Sequence, residues 1–174
     1  MPNTRKQVLT IAGSDSGGGA GIQADIKAMS ANGVFAMSVI TAITAQNTEE
    51  VTDVFELPTS IVAAQIDAVF DDFDVAAVKT GMLSSAAIVE VVAAMLKPQN
   101  PANLVVDPVM ISKSGHSLLK PDAIDALKAR LFPLALIVTP NVHEAQQLSG
   151  IEIKSLADAR RAAKVIHGFG CKYV

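Results

Sequence analysis

One cysteine, one tyrosine and no tryptophan occur in the 174 residues. The lone thiol, Cys171, closes no internal disulfide, and the histidines at 116, 143 and 167 share no metal-ligand spacing, so neither a disulfide framework nor a His/Cys metal centre organises the fold. Aromatic residues make up 4%, too few for base-stacking platforms, and the lysines and arginines are scattered over a chain of net charge −3, which excludes a basic stripe for nucleic acid. No apolar run is long enough to cross a membrane. Arg5 and Lys6 ahead of the apolar stretch 8–12 imitate a secretion signal, but that stretch is short and Asp15 interrupts it,. A reducing, cytoplasmic setting is expected, without nucleic-acid or membrane partners.

Half of the residues are apolar, enough for the core of one domain of this length. Charged residues are scarce at 18%, against roughly 25% in average soluble proteins, which favours thorough burial or a covered face, and a homodimer is expected. Short β-branched runs alternate with longer amphipathic stretches. The pattern predicts strands over 7–12, 34–44, 51–57, 75–80, 104–107, 136–139 and 172–174, and helices over 21–31, 60–71, 84–96, 121–131, 142–149 and 155–169,. Several strands are apolar at consecutive positions, as in a parallel sheet covered on both faces. Ile22, Ile26 and Met29 form one stripe on the first helix,.

In such sheets ligands bind beyond the carboxyl ends of strands, and four segments there carry polar residues. The first, Gly13-Ser-Asp-Ser-Gly-Gly-Gly-Ala-Gly21, holds five glycines. It is neither a P-loop, since no Lys-Ser or Lys-Thr follows the last glycine, nor a G-x-G-x-x-G turn, since Ile22 stands where a glycine is needed,. It is either a flexible turn or a place where a small ligand approaches the backbone, with N–H groups free at the next helix start. Asp25 follows, and by itself it reads as a first-turn acid favouring the helix dipole,.

The second segment, Thr44-Ala-Gln-Asn-Thr48, places a neutral amide, Gln46, after an apolar strand. A polar turn is the common meaning; recognition of an amino group beside a ring nitrogen is the functional one. The third comprises Lys79-Thr-Gly-Met82 and Val106-Asp-Pro-Val-Met110. Asp107 serves equally well to orient a magnesium-bound water or to cap the loop through Ser112-Lys-Ser-Gly115. In the fourth, Thr139-Pro-Asn-Val-His-Glu-Ala145, Asn141 and Glu144 have capping-box spacing and also offer hard oxygen donors,. His143 pairs with no nucleophile, and Lys113 reads as a solvated loop charge that also suits phosphate screening,.

Taken in order, segments 11–25, 45–48, 79–83, 106–110 and 139–144 resemble those of the hydroxymethylpyrimidine/phosphomethylpyrimidine kinases of thiamine biosynthesis. The resemblance implies a ribokinase-like three-layer α/β/α fold with a mostly parallel sheet. It implies ATP- and Mg²⁺-dependent phosphorylation of 4-amino-5-hydroxymethyl-2-methylpyrimidine and then of its monophosphate. Carried over by position, Gly13, Asp25, Gln46, Met82 and Val109 line the pyrimidine pocket. Asp107, Asn141 and Glu144 organise nucleotide phosphates, with Asp107 and Glu144 on the metal.

The resemblance also implies a single kinase domain, C-terminally incomplete, whose anion hole and catalytic residue lie beyond Val174; Cys171 stands in the wrong context to replace them. Two further readings remain open at this point: a pyridoxal kinase, and a noncatalytic ligand-binding fragment of such a kinase.

Overall fold

A computed structural model describes residues 5–110 and 119–174. Lys113, His116 and the 112–115 segment lie outside them. The sheet has six strands: β1 (Gln7–Asp15), β2 (Phe35–Gln46), β3 (Val51–Glu56), β4 (Val75–Thr80), β5 (Leu104–Val106) and β6 (Ile137–Val138), in the order β3-β2-β1-β4-β5-β6. All neighbours are parallel except β2 and β3, which form an antiparallel pair with Ile43 opposite Phe55.

The helices are α1 (Gly21–Ala31), α2 (Thr59–Asp72), α3 (Ala86–Gln99), α4 (Pro121–Ala126), α5 (Val142–Ser149) and α6 (Leu156–His167). α1 carries the chain from β1 outward to β2, whereas α3 carries it from β4 in the opposite direction to β5. Parallel crossovers are right-handed, so these helices cover opposite faces, which gives the three layers expected. The core lies mainly under α2 and α3, where Leu9, Ile11, Val78 and Leu104 of the sheet join Val62, Ile66, Ile88 and Leu96. Burying each such side chain contributes about 1.5–3 kcal/mol.

Several boundaries differ from the sequence expectation. α3 runs three residues past Leu96 and contains Pro98, tolerated because the helix ends almost at once with Asn100 in the left-handed region (φ 43°),. The helix expected over 121–131 instead widens after Ala126 into a π turn, Leu127–Leu131, and tightens into a 3₁₀ turn, Phe132–Leu134. That change of pitch turns Leu127, Leu131 and Phe132 all into the core. On α1 only Ile22 is fully buried; Ile26 and Met29 are half-buried. The strand expected over 172–174 is a single bridge, Tyr173 to Ile137.

Candidate functional site

From β1 the chain builds toward β2 and β3 on one side, and later toward β4, β5 and β6 on the other. The crevice of such a sheet lies at the carboxyl ends of the strands where this direction reverses. Here that point is the end of β1 and β4, and a cavity of about 450 Å³ opens there, lined by Gly13, Asp25, Gln46, Met82, Asp107 and Val109 among others. This volume is in the range of small-ligand clefts.

β1 does not stop at residue 12. It continues to Asp15, with its register against β2 shifting between Ala12 and Ser14. The buried Asp15 carboxylate then gathers the glycine loop: one oxygen accepts from the Gly17 N–H (2.7 Å), the other from the N–H groups of Gly19 (2.9 Å) and Ala20 (2.8 Å). Gln23 closes the loop from α1, accepting the Asp15 N–H at 2.9 Å and donating to Ser14 Oγ at 2.7 Å. The loop N–H groups expected to be free are therefore partly turned onto the protein's own carboxylate. Glycine is required at 21, where φ is 54° and a Cβ would collide with the Gly13 carbonyl oxygen; at Gly13 a Cβ would meet the Met82 methyl carbon at 2.5 Å,.

Asp25 is in the second turn of α1, not the first, and it faces the sheet. The Thr10 hydroxyl donates to it at 2.6 Å, and the Lys79 ammonium from β4 meets both its oxygens at 3.0 and 2.9 Å. The helix-dipole reading is thus replaced by a half-buried ion pair at the cavity wall. Lys79 also lies 3.7 Å from Asp107, so one cation stands between two carboxylates.

Gln46 ends β2. Its N–H donates to Ser16 Oγ (2.8 Å), and the Ser16 hydroxyl donates to its carbonyl (2.7 Å), which pins the backbone from both sides. Thr44, buried next to it, places its hydroxyl 3.0 Å from the Ser14 carbonyl and 3.1 Å from the Gln46 amide. Met82 is buried and Val109 half-buried, and they supply apolar wall.

Asp107 follows β5, its N–H donating to the Thr80 carbonyl at 3.0 Å. Burial pushes its carboxyl above the usual range; the Lys79 charge opposes this and the Asp25 charge adds to it. Asn141 and Glu144 do not line the same cavity. They form a full capping box at the start of α5, Asn141 accepting from the Glu144 N–H (3.0 Å) and Glu144 from the Asn141 N–H (2.8 Å),. Glu144 is nevertheless buried, and its carboxyl is raised by that burial, held back by the Asn141 N–H and raised further by the charge of Asp107. The charge of Asp107 therefore reaches Glu144, although the two residues do not share the cavity. His143 is exposed and Cys171 buried. Among the described residues, no three His, Cys, Asp or Glu side chains are grouped to hold a metal ion, and no helix is long and apolar enough to cross a membrane.

Sequence reasoning quoted Lys79, Asp15 and Thr44 within their segments but gave them no role. A lysine inside an otherwise apolar strand, Val75–Thr80, is the one signal that pointed to a buried partner,. For Asp15 and Thr44 the signal is only tertiary.

A family model described as phosphomethylpyrimidine kinase matches residues 15–174. The chain is 51% identical over 172 residues to a hydroxymethylpyrimidine/phosphomethylpyrimidine kinase of Streptomyces coelicolor, covering 99% of this chain and 64% of that protein. It is 50% identical over 169 residues to a chloroplastic thiamine biosynthetic bifunctional enzyme of Arabidopsis thaliana, covering 97% of this chain and 32% of that one. Among solved structures, a phosphomethylpyrimidine kinase of Clostridium difficile superposes with a TM-score of 0.90 at 52% identity, over 95% of this chain and 74% of that one. A pyridoxal kinase of Bacillus subtilis, solved with ADP, gives 0.86 at 41%, over 97% and 63%. The chain thus spans just under two thirds of the length of the Streptomyces relative, and with the fold, the crevice and these matches in agreement it belongs to the phosphomethylpyrimidine kinase family.

Proposed function

We propose that this protein uses ATP to phosphorylate 4-amino-5-hydroxymethyl-2-methylpyrimidine and then its monophosphate, within one ribokinase-like domain. The observation that carries this reading is the cavity at the reversal point of the sheet, where Gly13, Asp25, Gln46, Met82 and Val109 surround a space with both apolar walls and polar ends. The Met82 and Val109 surfaces are the proposed apolar walls for an aromatic ring, with the Met82 methyl carbon lying against the bare backbone of Gly13. Gln46 and Asp25 are the polar groups that would fix the ring's orientation.

Asp107, Asn141 and Glu144 are the proposed nucleotide end, with Asp107 and Glu144 serving Mg²⁺. Two carboxyls raised mainly by burial, Glu144 also by the charge of Asp107, would suit a hard divalent ion that keeps most of its water,. When bound, magnesium would neutralise charge on the transferred phosphoryl group. The chain's own part is to hold the hydroxymethyl-bearing ring still, and to keep carboxylates rather than apolar groups at the phosphate end.

Calorimetry of the purified chain with the aminopyrimidine, followed by a coupled assay with ATP and Mg²⁺, tests the reading. Binding of the aminopyrimidine is expected; phosphorylation in the coupled assay would establish catalysis, binding without phosphorylation supports a noncatalytic ligand-binding role, and absence of binding overturns the pocket. The pyridoxal kinase alternative is the less favoured, the Bacillus subtilis structure being 41% identical against 52% for the Clostridium difficile kinase; faster phosphorylation of pyridoxal at matched concentration would establish it.

A cytoplasmic setting and a homodimer are part of the proposal. The dimer is supported by the edge of β3, where Phe55 is 64% exposed opposite Ile43 at 49%. A second copy pairing there would cover both the apolar side chains and the open strand. Sedimentation of the wild type against F55K is the check, with a dimer expected to become a monomer.

A further inference from the structure

We infer that Thr44 is a positioning residue that turns the carbonyl oxygen of the Gln46 amide toward the ligand, so that the pocket reads a hydrogen-bond donor on the ring. This rests on the pyrimidine reading of the cavity. The Thr44 hydroxyl has one proton and two acceptors placed against it, the Ser14 carbonyl at 3.0 Å and the Gln46 side-chain Oε1 at 3.1 Å. With the amide oxygen toward Thr44, both contacts need the same proton and one becomes a close approach of two acceptors.

A backbone carbonyl can only accept, whereas an amide exchanges its two ends by a half-turn, and the hydrogen-bond network decides between them. With the amide nitrogen toward Thr44, the threonine proton goes to Ser14 and an amide proton goes to the threonine oxygen, so both contacts are satisfied. Thr44 is buried at 4% exposure, where an unsatisfied polar contact is costly,. The Gln46 backbone cannot shift to escape the conflict, because Ser16 holds its N–H and its carbonyl together. The free end of the amide, which has no other partner among the described residues, is then an acceptor at the cavity wall. A ring amino group matches it, and a ring carbonyl at the same place is rejected.

Calorimetry measures this as a ratio of affinities for the aminopyrimidine and its 4-oxo counterpart, in which the donor at that ring position becomes an acceptor. Wild type is expected to prefer the amino compound by about tenfold or more. Thr44→Val keeps the volume but frees the amide to rotate, so the ratio collapses toward one. Thr44→Ser restores it, and Gln46→Glu, which offers only acceptors when ionised, retains the amino preference. A general weakening of the fold would lower both affinities alike and leave the ratio in place. An unchanged ratio in a folded Thr44→Val protein overturns the inference while the pyrimidine reading stands. Loss of the preference in Gln46→Glu also overturns it, and that variant decides the matter if Thr44→Val does not fold. Failure of the wild type to bind either pyrimidine overturns the pyrimidine reading itself, and the inference with it.

Discussion

Asp25 and Asp107 flank the same lysine and are treated in opposite ways. Asp25 receives the Lys79 ammonium on both oxygens and the Thr10 hydroxyl at 2.6 Å, whereas Asp107 is 3.7 Å from that ammonium and its charge also reaches a second acid, Glu144. The same contrast holds for the neighbourhoods. Around β1 and α1, Asp15, Gln23 and Ser16 satisfy the loop from within the protein; around β5 and α5, burial and like charge raise two carboxyls. The first region is complete as folded and offers shape. The second holds carboxyls raised by burial and like charge, which a cation from outside would relieve, and the proposed division into a ring-binding part and a metal-phosphate part follows that difference,.

The largest expected effect breaks the self-contained region. Gly21→Ala puts a Cβ on the Gly13 carbonyl oxygen in a backbone conformation that alanine resists, and should cost about 2–4 kcal/mol in chemical denaturation. Asp15→Asn comes next, because an amide can accept at only one end and its NH₂ would face donors. A loss of about 2–3 kcal/mol is expected by the same measurement, together with weaker pyrimidine binding.

Lys79→Met tests the shared cation. The pair is only partly buried, with 22% and 17% of the side chains exposed, so a loss of about 1–2 kcal/mol is expected. A double-mutant cycle sharpens the comparison: Lys79 should couple to Asp25 by about 1 kcal/mol and to Asp107 by clearly less. Similar coupling to both would erase the distinction between the two acids.

The smallest effect has the opposite sign. A carboxyl raised in the folded state adds stability below its unfolded value and loses it as pH climbs through the raised one. Asp107→Asn removes that loss, so it should be slightly more stable than wild type at pH 7, by about 0.5 kcal/mol, with the advantage closing as pH falls toward the ordinary carboxyl value of 3.8. Mg²⁺ should raise the wild-type melting temperature and leave this variant unmoved.

The βα alternation was legible because several strands are consecutive apolar runs and the helices are periodic, and all six strands of the sheet appear at expected places. The failures have local causes. The π turn after α4 leaves no mark in an apolar pattern such as Leu127-Lys-Ala-Arg-Leu-Phe132 that a regular helix would also fit. Of the eight candidate residues, the six at the ends of β1, β2, β4 and β5 and on α1 share the cavity, since strand ends converge at the crevice. Asn141 and Glu144 have the capping role that their spacing alone predicts; the proximity of Glu144 to Asp107 was not readable from either segment.

By itself the sequence determined the class of fold and the strand ends at which polar residues collect, because these follow from short-range period. Tertiary structure alone decided which polar groups pair. Asp25 meets a lysine 54 residues away, Asp15 is consumed by its own loop, and Asp107 has the same lysine only at 3.7 Å while its charge reaches Glu144. Charge interactions act through space and depend on burial, and neither distance nor burial is written in the order of residues.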